Sequence, residues 1–188
     1  MNLFAAADAQ LTRTVSAVPA TDWDNPTPAD LTIREVVNHI VAGNIFAVRL
    51  LSGASATEAT ADLDADQLGA DPLTALATSC GAQRAAFATA DQDRPLHHPS
   101  GDITLETFVR FRLGELVVHA WDIAIGADLD PTLDRQLTDH LWAMVKPHRA
   151  EMQSMGTFGP GASNTLPPNA PAQLLLLDAF GRRPTSAA

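Results

Sequence analysis

The stretch Arg110–Asp130, RFRLGELVVHAWDIAIGADLD, limits the possible folds more than any other part of the chain. Leu113, Leu116, Val117, Val118, Ala120, Trp121, Ile123 and Ile125 leave a helix here almost no solvated side. A helix apolar all round belongs in the middle of its domain. Yet Glu115, His119 and Asp122 fall at i, i+4 and i+7, on one stripe of that helix. Ionisable groups in a core are costly unless paired or metal-bound, so three on one stripe need a physical reason.

Around this segment the pattern is helical. Leu3, Phe4, Ala7, Leu11, Val15 and Val18 recur at helical spacing and predict a first helix over 2–18. Thr32 and Glu35 form a T-x-x-E capping box that opens a second, which holds His39 and stops at Gly53. Residues 53–70 are small and acidic and read as a long loop. Pro72 opens a third helix containing Cys80, and 90–102, with His97 and His98, reads as loop. The fourth runs from about Thr104 to Ile125. Asp130 and Pro131 are read as the start of a fifth, which Pro147 ends or kinks. Residues 153–171 read as irregular, and AQLLLLDAFGR as a short closing helix. No period-two alternation competes. The expectation is a single all-α domain over 1–188, with a bundle core at about 1–126 and C-terminal helices and loop at 130–188.

Composition excludes some functions. The net charge of −10 disfavours nucleic acid and anionic membrane surfaces as partners. Cys80 is the sole cysteine, so no internal disulfide forms. The amino terminus lacks a signal-peptide pattern, and no run reaches the ~18 apolar residues of a membrane span. The expected location is cytoplasmic. Abundant Ala, Arg, Asp and Pro with one lysine, Lys146, suggest a GC-rich bacterial genome.

His39 lies six residues after the start of the second helix and His119 six before the end of the fourth, each a rise of roughly 9 Å. Antiparallel packing puts the two level, whereas parallel packing leaves them more than ~10 Å out of step. With a crossover at 53–70 this is an up-down-down-up bundle in which His39, Glu115 and His119 converge. His₂Glu is a familiar zinc set that leaves one position for water or substrate. Each residue also has a plainer reading. His39 suits a boundary histidine, Glu115 and His119 a helix-surface pair, and Asp122 a simple hydrogen-bond acceptor. His97 and His98 read as solvated, His140 and His148 as surface, Cys80 and Trp121 as packing. Asp122 is also a candidate acceptor for the N–H of a ligand histidine. Arg112, one turn before Glu115, is a candidate to bind a carboxylate.

TIREVVNHIVAGN at Thr32–Asn44, followed downstream by GELVVHAWDIAIGADL, resembles the mycothiol-dependent maleylpyruvate isomerase family, an actinobacterial group of DinB-like metal-binding bundles. The closing AQLLLLDAFGRRP is similar to the end of one subgroup. The resemblance implies a DinB-like up-down-down-up four-helix bundle with accessory C-terminal helices. It implies metal ligands at His39, Glu115 and His119, and it matches the family's H-x-W-D at His119, Trp121 and Asp122. It further implies a divalent ion such as Zn²⁺, mycothiol as cosubstrate, and a monomer or homodimer. The isomerase proper carries an additional C-terminal domain, so the resemblance supports the metal site rather than that particular reaction. The expected function is a metal-binding, thiol-dependent transferase or isomerase acting on a small electrophile. The alternatives are a non-catalytic metal-binding or stress-associated bundle, and a structural module whose polar triad is an ordinary buried network.

Overall fold

The computed structural model describes residues 2–155 and 160–183. They fall into two units, Met1–Pro131 and Thr132–Ala188. In the first unit, α1 (Leu3–Ala17) starts at Asn2, whose side chain accepts the Ala5 N–H, and buries Phe4, Ala7, Leu11 and Val15 along one stripe. The Thr32–Glu35 capping box is formed in full and opens α2 (Ile33–Leu51). Asp71 caps α4 (Pro72–Ala88), and Thr104 caps α5 (Leu105–Gly126).

Long-range contacts set the helix directions. Asn25 donates to the carbonyl of Gly126, and a Cβ at Gly126 would lie 3.1 Å from Ile33, so α5 ends where α2 begins. α2 and α5 are therefore antiparallel. Asp8 pairs with Arg84 and Phe4 stacks on Phe87, which makes α1 and α4 antiparallel too. Along α2, Asn38 bonds the 65–67 segment, Asn44 bonds Ser79, and the Leu51 carbonyl accepts from Arg94. Residue numbers rise together along both segments, so α4 is parallel to α2. The bundle is up-down-down-up, as the sequence predicts. Its crossover runs back beside α2, tied at the Ala61 carbonyl by Arg49 and at Ala65 and Gln67 by Asn38.

α5 lies against α1 and α2 and buries Leu113, Leu116, Val117 and Ile123, facing a core that includes Ile33, Val36, Val37 and Ile40 of α2. Each such side chain contributes roughly 1.5–3 kcal/mol on removal from water. No helix among the described residues is long and apolar enough to cross a membrane.

Four local expectations need correction. The crossover is not all loop: a short α3 (Ala56–Thr60) forms on a Ser55–Glu58 capping box and buries Ala59. Its S-x-x-E signature is visible in the sequence, but without an apolar run to follow it. Residues 90–102 contain a hairpin, β1 (Leu96–His98) paired with β2 (Gly101–Ile103), anchored by buried Leu96. Strands this short carry no readable alternation.

The other two corrections concern the second unit. α6 (Arg135–Val145) starts four residues later than Pro131, because Asp134 rather than Asp130 supplies the cap and accepts the Leu137 N–H at 2.8 Å. Just before it, the Leu133 N–H is held by Gln173 at 3.0 Å. Pro147 acts as read: α6 stops at Val145 and the helical path kinks there. Lacking an N–H, Pro147 sits in a 3₁₀ turn (Lys146–His148) that leads into α7 (Arg149–Met155). The stretch 153–171 is not irregular throughout, because α7 continues through Met155; 156–159 lie outside the described residues, 160–171 are irregular, and α8 (Ala172–Ala179) packs on α6.

Candidate metal centre

α2 presents His39, and one face of α5 presents Glu115, His119 and Asp122. His39 Nε2 lies 2.7 Å from Glu115 Oε2, and His119 Nε2 lies 3.4 Å from the same oxygen. The two imidazoles meet edge to face with centroids 5.1 Å apart. Among the described residues, His39, Glu115 and His119 each offer one ligand atom, all within 4.8 Å of one another. The level match that helix arithmetic demands is therefore present.

Burial is graded across the cluster. The His39 side chain is 49% exposed, that of Glu115 19% and that of His119 9%, so access is from the α2 side. Behind His119, Nδ1 lies 2.9 Å from Asp122 Oδ2, and Asp122 is fully buried. A carboxylate only accepts, so Nδ1–H donates to it and Nε2 is left facing Glu115. This is how a carboxylate orients a metal-binding histidine.

Burial by itself would raise the Glu115 carboxyl. Hydrogen bonds and positive charge from His119 and His39 outweigh it and hold Glu115 well below the usual carboxylate range. For His119, burial works against the charged ring, but Asp122 and Glu115 overcome it and push it up to about 9. Without an ion, His119 thus holds a proton between Glu115 and Asp122. The donor set fits a cation: two imidazoles and one carboxylate on a shared point, with one imidazole pre-oriented from behind.

A cleft of about 440 Å³ opens beside the cluster, with Glu35, Asn38, His39, Phe46, Leu63 and Arg112 among its lining. Arg112 lines it while staying almost wholly buried. Its Nε donates to Gln83 and one Nη to Asn44, each at 3.0 Å. The sequence reading missed Asn44 and Gln83. Their signal was a polar side chain on an otherwise apolar helical face, and both are fully buried.

Other candidates lie apart from this cluster or take plainer roles. His97 is exposed and pairs with Asp102. His98 departs from its solvated reading: it is half-buried, its ring contacts Phe46, Phe108 and Phe111, and burial pushes its pKa down. In the second unit, His140 bonds the Gln136 carbonyl and His148 bonds Glu151. Trp121 is buried. Cys80 is 2% exposed, and burial together with Asp8 pushes its thiol up to about 12. At pH 8 the folded chain should therefore resist a thiol-exchange reagent, and urea should release one reactive thiol. Fast labelling of the native chain would contradict this inert placement.

An all-α up-down-down-up bundle of DinB-like type, with two histidines and a glutamate gathered from two antiparallel helices, is the class that this geometry defines. The chain belongs to the mycothiol maleylpyruvate isomerase N-terminal domain family, whose model matches residues 4–124. That match takes in the bundle helices and all of His39, Glu115, His119 and Asp122. No curated protein and no solved structure matches the chain.

Proposed function

We propose that the chain binds one divalent cation, Zn²⁺ by its donor set, through His39, Glu115 and His119. We propose further that it uses a low-molecular-weight thiol, mycothiol by family membership, in a transfer or isomerisation on a small electrophile. The observation that carries this reading is the convergence of three ligand atoms within 4.8 Å beside an open cleft. Structural zinc is normally closed by four protein ligands, so a set of three beside a cleft favours exchange with small molecules. Bound there, a dication would lower the pKa of a thiol and offset negative charge that develops on a substrate.

The chain's own residues have distinct tasks. Glu115 supplies the negative ligand and offsets part of the cation's charge. Asp122 holds the proton on His119 Nδ1 and so keeps Nε2 available on the side of the cluster. His39, half exposed, forms the side by which small molecules arrive. Phe46 and Leu63 give the cleft apolar walls.

Two measurements on the purified chain test this. Elemental analysis should find about one divalent ion per chain, as expected for a single three-ligand site. The zinc-loaded chain should then consume electrophiles from a small panel only when mycothiol is present. Absence of stoichiometric metal defeats the site. Metal without thiol-dependent turnover favours a non-catalytic metal-binding bundle.

A further inference from the structure

Arg112 is 5% exposed and carries a charge that feels Glu115 but makes no ion pair with it. Its two hydrogen bonds among the described residues both go to neutral amide oxygens, on Gln83 and Asn44. Among the described residues, no carboxylate lies within ion-pair distance of it. A guanidinium held this deep without an anion on it is unfavourable unless an anion arrives. The two amides fix the plane of the group and leave Nη1 with no hydrogen bond among the described residues.

Gly43 explains how such a group reaches the cleft. A Cβ at Gly43 would lie 2.8 Å from Arg112 Nη2 and 2.9 Å from Cζ, closer than side chains tolerate. The guanidinium therefore lies against bare α2 backbone, and both residues line the cleft. Gly43 is one helical turn after His39, and Arg112 is one turn before Glu115. Arg112 and the metal cluster are thus successive levels of the same two helix faces, about 4.5–6 Å apart along the axes. Ala42, Phe46 and Leu63 line the same cleft.

We propose that Arg112, reached across Gly43, is the anion-binding end of this cleft, and that it takes an organic carboxylate with a small apolar body. A planar guanidinium matches a carboxylate in a two-point bond. The apolar walls suit a hydrocarbon body. Glu115, Asp64 on the lining and the net charge of −10 disfavour a polyanion. Glu35, also on the lining, is engaged in the capping box with Thr32. The inference rests on the proposed function in taking this cleft as the place where a small molecule meets the cluster.

The test uses benzoate and its neutral isostere benzamide, titrated calorimetrically into metal-free and zinc-loaded chain, with zinc content measured separately. Benzoate should bind at least roughly tenfold tighter than benzamide in both forms, the size expected of a hydrogen bond to a charged group. Arg112→Gln should erase that preference without changing zinc content. Gly43→Ala, which pushes the guanidinium aside, should weaken benzoate in the same direction. Arg13→Gln, an exposed charge on α1, should behave as the parent. Equal binding of benzoate and benzamide by the parent overturns the inference and needs no variant. So does a preference that survives Arg112→Gln and appears only with zinc, which would place the anion on the cation. Tighter binding of inorganic phosphate than benzoate would overturn the carboxylate assignment. Failure to bind zinc, with the benzoate preference intact in the metal-free chain, would count against the metal site alone.

Discussion

His119→Ala should leave the purified chain without stoichiometric zinc, weakening affinity by more than about 100-fold, the upper end of what loss of an outer partner alone costs. The substitution removes one of three ligands and, with it, the ring that Asp122 orients. It should also change the metal-free chain. There His119 is held up to about 9 by Asp122 and Glu115 against an ordinary value of 6.5. A folded-state pKa raised in this way stabilises the fold fully below pH 6.5, and the contribution fades as pH rises through about 9. Between those values the metal-free parent should lose stability relative to His119→Ala. Zinc affinity should run the other way and climb with pH, because the ring must release its proton to bind. His39→Ala separates the two effects. Its side chain is half exposed, so zinc should be lost with little change in the metal-free melting temperature. Thermal melts across pH 6–10 on metal-free chain, together with zinc stoichiometry, check this. Stoichiometric zinc retained in both variants would remove the site.

Phe108→Ala should cost about 3–5 kcal/mol of stability, the range for truncating a buried aromatic. Phe108 is 1% exposed and is the hub where several elements meet. Its ring centroid lies 5.9 Å from Phe46, 5.6 Å from Phe87 and 6.3 Å from His98. It therefore joins α5 to α2, to α4 and to the hairpin. Aromatic pairs add about 0.5–1.5 kcal/mol each beyond area burial. Phe46 also lines the cleft, so losing its support should weaken small-molecule binding even where the fold survives. Urea unfolding should show a lower midpoint with an unchanged slope. A shift worth less than about 1 kcal/mol would mean that the neighbours collapse into the gap.

Which parts of this molecule can be read from its residues depends on how local the determining interaction is. The α2 start was legible because Thr32 and Glu35 are three residues apart and cap each other. The α5 stripe was legible because helical geometry alone puts Glu115, His119 and Asp122 on one side. The same local logic erred where two local signals competed or were too short. Asp130-Pro131 looks like a helix start, yet Asp134 made the cap. The hairpin has three residues per strand, and His98 looked solvated because the rings that cover it come from α2 and α5.

By itself the sequence determined the bundle helices, the capping box that opens α2, the need for a long crossover, and the three polar residues that an antiparallel α2–α5 pair brings level. Only the tertiary structure decided that His39 and Glu115, 76 residues apart, are in contact. It alone decided that Arg112 is held by Asn44, 68 residues away, and faces bare backbone at Gly43. Periodicity and capping act over a single turn. Contacts across the bundle depend on where several packed helices leave one another room, and no stretch of chain encodes that alone.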